Sequence, residues 1–183
     1  MSVALPPPPE VGTLGPVRRS LLALLILISA CSSGPEAPPI TATEVACAPE
    51  FCIAYPGGWE AEVGDTFISF RHPLAPEAAL ATIGFTNPEA VVTSAGETWP
   101  ANSETVARAF WALLEETDVA SFERLERLPG GNIRSYGSYQ DGRMWTLLVP
   151  TDEPRAVGVE VRAPNRGWEP HVDVFFSSVE LVP

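Results

Sequence analysis

The feature that most constrains this chain is an uninterrupted apolar run over residues 21–28, which follows two arginines and precedes small residues that end at Cys31. A basic pair, a short apolar segment and small residues form the pattern of a secretory signal peptide. The run is far shorter than the ~18 apolar residues that a membrane-spanning helix needs. We therefore predict that residues 1–30 are removed on export, so that the fold is built from the remainder, outward of the cytoplasmic membrane.

The first residues do not fit this signal peptide. Residues 1–16 hold four consecutive prolines and no basic residue, whereas the positive segment of a signal peptide should lie at its start. We interpret residues 1–16 as a start-site extension, with Val17 as the true first residue. The alternative is a genuine and unusually long N-terminal segment.

The residues around the cleavage site carry a further pattern. Ile28-Ser29-Ala30-Cys31 resembles the lipobox of bacterial lipoproteins. The resemblance implies cleavage before Cys31 and acylation (diacylglycerol and palmitate) of that cysteine, which would anchor the protein to a membrane of the cell envelope. Two acyl chains are enough for stable anchoring, at ~0.8 kcal/mol for each buried methylene. The alternative is an ordinary secretory cleavage beside a structural cysteine.

The mature chain divides into a short linker and one domain. Residues 31–44 comprise the cysteine and a stretch rich in proline and small residues, which is typical of a linker that would hold a domain off the membrane. Residues 45–183 are enough for a single globular domain that buries about two-thirds of its unfolded surface.

The charged residues exclude several functions. The sequence has 23 acidic and 11 basic residues, a formal net charge of -12, and every basic residue is arginine. Schiff-base chemistry and phosphate-binding loops that need a lysine are therefore excluded. The acidity also predicts no nucleic-acid partner, because such a partner requires clustered basic side chains.

Two cysteines, Cys47 and Cys52, remain in the mature chain beside the one at the cleavage site. An exported chain folds in an oxidising compartment, so we predict a disulfide between them. The alternative is a redox-active pair, which the C-x4-C spacing disfavours because catalytic pairs are typically C-x-x-C.

Hydrophobic periodicity and turn residues predict two groups of strands, each followed by one helix. Asp141-Gly142 is the clearest hairpin turn in the sequence. The pattern favours an α+β fold with a central antiparallel β-sheet flanked by helices. The predicted elements are a three-stranded meander over 51–55, 59–63 and 66–70, a strand at 80–86, a long loop at 87–101, a helix capped by Ser103 and ending near Glu116, strands at 122–128, 132–140, 143–149 and 155–163, and a closing helix after Asn165 with a short strand or tail at 178–182.

This order of elements resembles the PsbP-like fold. The resemblance covers Phe51 to Leu181 and rests on Tyr55-Pro56-x-Gly58-Trp59, the Leu128-Pro129-Gly130-Gly131 turn, and a terminal helix that leads into Ser178-Val-Glu-Leu181. It implies an α/β/α sandwich around the antiparallel sheet and a non-enzymatic binding or assembly domain.

The sequence offers little catalytic chemistry. Its two histidines, His72 and His171, are far apart and are expected to be a turn residue and a helix-start residue, so we predict no metal site and no cofactor. No G-x-S-x-G elbow is present, and we predict that the protein is not an enzyme.

Aromatic side chains are the remaining candidates for a site. Tyr136, Tyr139 and Trp145 lie on the predicted central hairpin, where they could form a ligand or partner surface if they faced solvent together. The alternative is that they pack beneath a helix.

Two functional hypotheses follow. The first is an envelope lipoprotein whose domain binds a protein partner or assists assembly. The second is a lipoprotein that binds a small molecule or glycan, through a pocket or an aromatic surface near the 132–149 hairpin.

Overall fold

The computed structural model describes residues 34–151 and 155–182. Within these ranges the chain forms ten strands and three α-helices, and no helix there is long and apolar enough to cross a membrane. The strands are β1 (Thr43–Ala48), β2 (Phe51–Pro56), β3 (Glu60–Val63), β4 (Phe67–Arg71), β5 (Leu80–Thr86), β6 (Ala120–Arg127), β7 (Ile133–Tyr139), β8 (Gly142–Pro150), β9 (Ala156–Ala163) and β10 (Glu180–Leu181). The helices are α1 (Pro88–Ser94), α2 (Ser103–Glu115) and α3 (Glu169–Phe176), with short 3-10 turns at Pro129–Gly131 and Arg166–Trp168.

Seven strands form one antiparallel sheet in the order β3-β4-β5-β9-β8-β7-β6. The predicted hairpin at Asp141-Gly142 is confirmed, with Tyr139 opposite Gly142. Val157, Val159 and Val161 alternate along β9 and are buried on one face, as the sequence pattern predicts. The predicted α+β class with a central antiparallel sheet is therefore confirmed.

The predicted meander is wrong, because β2 belongs to a second sheet. In that sheet β2 lies between β1 and β10, while β3 pairs only with β4. Gly58, with φ of +92°, lies in the turn that follows β2 and leads to β3 in the other sheet. Strand β1, which the sequence pattern does not indicate, begins at Thr43 within the predicted linker and occupies one edge of β2.

The predicted disulfide is confirmed. Cys47 and Cys52 are directly opposite each other in the β1–β2 hairpin, with Cα atoms 4.1 Å apart, and their sulfur atoms are bonded. The bridge closes the first hairpin of the domain.

The segment predicted as a loop at 87–101 contains helix α1. The side chain of Asn87 caps this helix by accepting a hydrogen bond from the Ala90 N–H, and Pro88 occupies its first turn. An Asn-Pro pair is a turn pattern and also a favourable helix start, since proline lacks the N–H that the first turn leaves unpaired. Val92 is fully buried and packs this helix against Val106 and Ala109 of the next helix.

Helix α2 lies where the sequence predicts it, with a different cap. Asn102, and not Ser103, caps it, through a hydrogen bond of 2.9 Å from the Thr105 N–H. The most deeply buried side chain is Trp111, whose indole N–H donates to the Ser135 hydroxyl at 2.9 Å.

The two faces of the large sheet are covered differently. Helices α1 and α2 lie over one face, and α3 with the small sheet covers the other. The main core lies between the large sheet and this second layer, and it includes Phe51, Ile53, Trp59, Trp168 and Phe175.

Candidate ligand-binding groove

Helix α2 does not cover the whole of its face of the sheet. It packs mainly on β6, with fewer contacts to β7 and β8. A cavity of about 360 Å³ opens beside it, over β4, β5, β9 and β8. We call this cavity the groove.

Two glycines form the floor of the groove. Gly84 on β5 and Gly158 on β9 are register partners, so neither strand has a side chain at this point. A Cβ atom on Gly158 would have its nearest contacts outside its chain neighbours, Gly84 O and Thr86 Cγ2, at 3.9 Å, an ordinary van der Waals distance, so there is room for a side chain above it. The facing glycines leave a depression in the sheet, which is narrower above Gly84, where a Cβ atom would be 3.2 Å from the Thr66 carbonyl oxygen and 3.3 Å from Cβ of Phe67.

The walls of the groove are mainly apolar. They come from the first residue of β4, from helices α1 and α2, and from the C-terminal half of β8. Phe67 is 45% exposed and stands at the margin. The apolar side chains on the groove face are Phe67, Val91, Val106, Ala107, Phe110 and Leu148, whereas Phe85, Leu147 and Val159 border the groove but point their side chains into the main core.

Three of the five polar lining residues form one row across three strands, and the other two are Thr66 and Thr86. Glu160 on β9 lies between Thr82 on β5 and Thr146 on β8, its two register partners. The Glu160 carboxylate accepts a hydrogen bond of 2.5 Å from Nε of Arg162. The groove can hold the apolar part of a ligand over the two glycines. One polar group of the same ligand can then form hydrogen bonds with the row of Thr82, Glu160 and Thr146.

The aromatic surface predicted on the hairpin does not form. Trp145 is only 2% exposed, and it lies in the main core on the face opposite the groove. Tyr136, its register partner, is half-buried on the same face, with the guanidinium of Arg124 4.5 Å from its ring. Tyr139 lies on the other face, because side chains alternate along a strand, and Arg162 covers its ring at 4.2 Å.

The two histidines, predicted to be far apart, are neighbours in the core. The ring centroids of His72 and His171 are 6.2 Å apart, and both rings are buried beside Trp59 and Trp168. Burial, and then the nearness of His171, lower the pKa of His72 below its ordinary value. In residues 34–151 and 155–182, no group of three or more His, Cys, Asp or Glu side chains is placed to hold a metal ion.

Residues Gly34–Pro38, part of the predicted linker, lie against the domain, and we call them the strap. Three side chains donate hydrogen bonds to carbonyl oxygens of the strap: Asn165 to Gly34 at 3.2 Å, Trp168 to Pro35 at 3.0 Å and His171 to Pro38 at 2.8 Å. Prolines cannot donate, but their carbonyls accept. The strap is therefore a docked part of the domain.

A sequence pattern for the strap exists, although its meaning is clear only from the fold. The three donors recur at every third position, Asn165, Trp168 and His171. Residues at this spacing lie on one side of a helical segment. Such a row of donors indicates a strip of acceptors nearby, but the acceptors lie about 130 positions earlier in the chain.

No protein-family model matches this sequence, and no curated protein matches it either. The fold is similar to the solution structure of the cyanobacterial PsbP protein, CyanoP, from Synechocystis sp. PCC 6803. The TM-score is 0.52 at 11% identity, over 82% of this chain and 98% of that one. This likeness confirms the predicted PsbP-like fold and shows the fold alone.

A second structure shares less of the architecture. It is a crystal structure of a protein from Bacteroides thetaiotaomicron VPI-5482, with a TM-score of 0.37 at 16% identity, over 73% of this chain and 45% of that one.

Proposed function

We propose that this chain is an exported lipoprotein, anchored to an envelope membrane through lipid on Cys31, whose domain binds a small, mainly apolar ligand in the groove without catalysis. The observation that carries the proposal is the depression of about 360 Å³ over Gly84 and Gly158. A cavity of this volume is within the ~300–1,000 Å³ range of small-molecule sites. The mainly apolar lining supports this assignment.

The polar row narrows the class of ligand. Glu160 and Thr82 line one end of the mainly apolar site beside Thr146, whose hydroxyl is already hydrogen-bonded to the Ser135 hydroxyl at 2.6 Å. A carboxylate accepts hydrogen bonds, and a threonine hydroxyl both donates and accepts. A mainly apolar ligand with one hydroxyl or amine group would match this site. Its apolar part would pack on the walls, and its polar group would form hydrogen bonds with the polar row.

The lining residues support a binding role without catalysis. Among the described residues that line the groove, none is histidine, cysteine, serine or lysine, and the single carboxylate, Glu160, is ion-paired with Arg162. Nucleophilic catalysis needs a nucleophile with an adjacent base, and general acid–base catalysis needs a group placed to move a proton. The one carboxylate beside the threonine hydroxyls, Glu160, is held by Arg162, which supports a binding role for the row.

A protein-binding or assembly role, the first sequence hypothesis, is less well supported. The exposed large apolar side chains are spread over both sheets, the β4–β5 loop and the residue after β10. They are Val45, Val63, Phe67, Leu74, Leu181 and Val182.

The test fills the groove from its floor. In the mature chain carrying Cys31→Ser, we would titrate the neutral apolar dye N-phenyl-1-naphthylamine and follow its fluorescence. Gly158→Val places a β-branched side chain in the open space and should weaken binding at least about tenfold. Ala61→Val, on exposed strand β3 outside the groove, is the matched control and should bind the dye as the parent does. Equal binding by all three proteins would reject the groove as the site.

A further inference from the structure

The strap limits where the lipid can be. Gly34 lies three positions after Cys31 in the sequence. An extended chain spans at most ~3.6 Å per residue, so the lipid-bearing residue must be within ~11 Å of Gly34. If Cys31 carries lipid, the first residue of the strap therefore lies close to the membrane.

Gly34 lies at one end of the large sheet. A Cβ atom built on it would be 2.7 Å from Cβ of Pro164, which follows β9, and its neighbours include the β7–β8 turn at residues 140–142. The β4–β5 loop also lies at this end, since Glu77 and Ala78 line the same shallow cavity. We call the β7–β8 turn, the β4–β5 loop and residues 163–165 the turn end of the domain.

The groove occupies the other half of the sheet. Strand β5 begins at the turn end with Leu80, and the groove residues Gly84 and Thr86 lie toward its opposite end. Phe67 begins β4 at that same opposite end, next to the β3–β4 turn that contains Asp65. The strap and the groove are thus at different ends of the strands.

We propose that the turn end is a membrane-contacting surface, which the strap holds against the lipid bilayer so that the groove lies on the side away from it. This inference rests on the lipid anchor of the proposed function. Four hydrogen bonds and the packing of Ala37 against the core fix the strap, so the anchor cannot move to another part of the domain. A free linker would allow every orientation.

The chemistry of the turn end suits a lipid surface. Leu74, in the β4–β5 loop, is 65% exposed and is an apolar side chain that can enter the headgroup region. The nearby Arg143 and Arg162 are each paired with a glutamate. The same end also carries the acidic side chains Glu77 and Asp141, which disfavour an anionic lipid surface, so we expect contact with a zwitterionic bilayer.

The test attaches the lipid chemically and therefore does not depend on acylation in cells. Because Cys47 and Cys52 are bonded to each other, Cys31 is the one cysteine of the mature chain left to react with a maleimide-bearing lipid in phosphatidylcholine vesicles. A fluorescent amino acid is placed at Asp141 in one protein and at Asp65 in another. Both positions are exposed turn aspartates, at opposite ends of the sheet.

Lipids with a spin label at the headgroup then quench whichever probe is near the bilayer. We expect the probe at position 141 to be quenched several-fold more strongly than the probe at position 65. Equal quenching, or stronger quenching at position 65, would overturn the proposal.

A second protein tests whether the strap sets the orientation. A flexible insertion of about a dozen residues between Ser33 and Gly34 lengthens the tether without changing the domain. With this insertion, we expect the difference between the two probes to disappear. A difference that persists would show that the strap does not set the orientation, and would overturn the proposal in that form. Failure of Cys31 acylation in cells would be detected separately, by fatty-acid labelling.

Discussion

The indole Nε1–H of Trp59 donates a hydrogen bond to Nδ1 of His171 at 3.0 Å, although the two residues are 112 positions apart in the chain. Because Nδ1 accepts this bond, the neutral ring carries its proton on Nε2, which donates to the Pro38 carbonyl at 2.8 Å. One buried imidazole thus joins the turn after β2, helix α3 and the strap.

Replacement of this imidazole should loosen all three parts. His171→Phe keeps a planar ring but leaves the buried Trp59 N–H without an acceptor, and we expect a loss of about 1–3 kcal/mol in the free energy of unfolding. Urea denaturation measures the loss. In a double-mutant cycle with Trp59→Phe, the two losses should not add, because each substitution breaks the same bond. Strict additivity would contradict the role of that bond.

Buried His72 should also make stability depend on pH. Burial lowers the pKa of His72, so the folded state favours the neutral ring, whereas the unfolded chain takes up a proton near pH ~6.5. Below that pH the unfolded state binds more protons than the folded state. The free energy of unfolding should therefore have its full value above about pH 6.5 and decrease as the pH falls through this value.

Urea midpoints between about pH 7.5 and about pH 5 test this dependence. His72→Asn is a suitable control because its amide oxygen can still accept the hydrogen bond that Nδ1 of His72 accepts from the Leu74 N–H. This variant should show a flatter dependence over the same range. A slope identical to that of the parent would show that another group titrates. Glu104, whose pKa is lowered by its hydrogen bonds to Arg127 and then Arg108, acts only at more acidic pH.

Local patterns are what the sequence predicts well in this protein. Asp141-Gly142 determines a hairpin within a few residues, and alternation along β9 places its valines on one face. Both features depend on neighbours in the chain, so they can be recognised without knowledge of the fold. The disulfide of the β1–β2 hairpin is also such a local feature, because its two cysteines are close in the sequence.

The remaining features depend on distant pairing. The partners of β2, the strap and the histidine pair each join residues that are separated by a large part of the chain. The groove requires that Gly84 and Gly158 face each other, which follows only from the register of β5 and β9. A glycine in a strand indicates a missing side chain, but its opposite residue must be known before it indicates a cavity.

Two strand glycines should respond differently to the same substitution. Gly158→Ala adds a methyl group to open space, so stability should be unchanged or rise by about 0.5–1 kcal/mol. In Gly137→Ala the new Cβ would be 2.1 Å from the Ser121 carbonyl oxygen and 2.9 Å from the Trp111 ring. We expect this variant to lose about 1–3 kcal/mol or more. Thermal melts compare the two, and equal melting temperatures would contradict the groove geometry.

The closing helix should be essential to the fold. Phe175 is fully buried between the small sheet and the large one, while its neighbour Phe176 is half-buried. Phe175→Ala should cost about 3–5 kcal/mol and Phe176→Ala clearly less, because the second leaves a smaller cavity. A chain that ends before Asn165 loses α3 and should unfold without a cooperative transition. A truncated protein with an unchanged melting midpoint would contradict this account of the core.

The lipid anchor can be tested apart from the domain. If Cys31 is acylated after cleavage, Cys31→Ser should leave an unprocessed precursor that takes up no fatty acid, because the thiol is the attachment point. Metabolic labelling with an alkyne fatty acid, followed by gel fluorescence, measures this. Ser32→Ala, one position further on, is the matched control and should be labelled as the parent is.

Acylation would also make the parent resist release from membranes by salt, since burial of two acyl chains at ~0.8 kcal/mol for each methylene is not screened by ions. Equal labelling of Cys31→Ser and the parent would refute the anchor while leaving the groove and the orientation experiment, which uses a chemical lipid, open to their own tests.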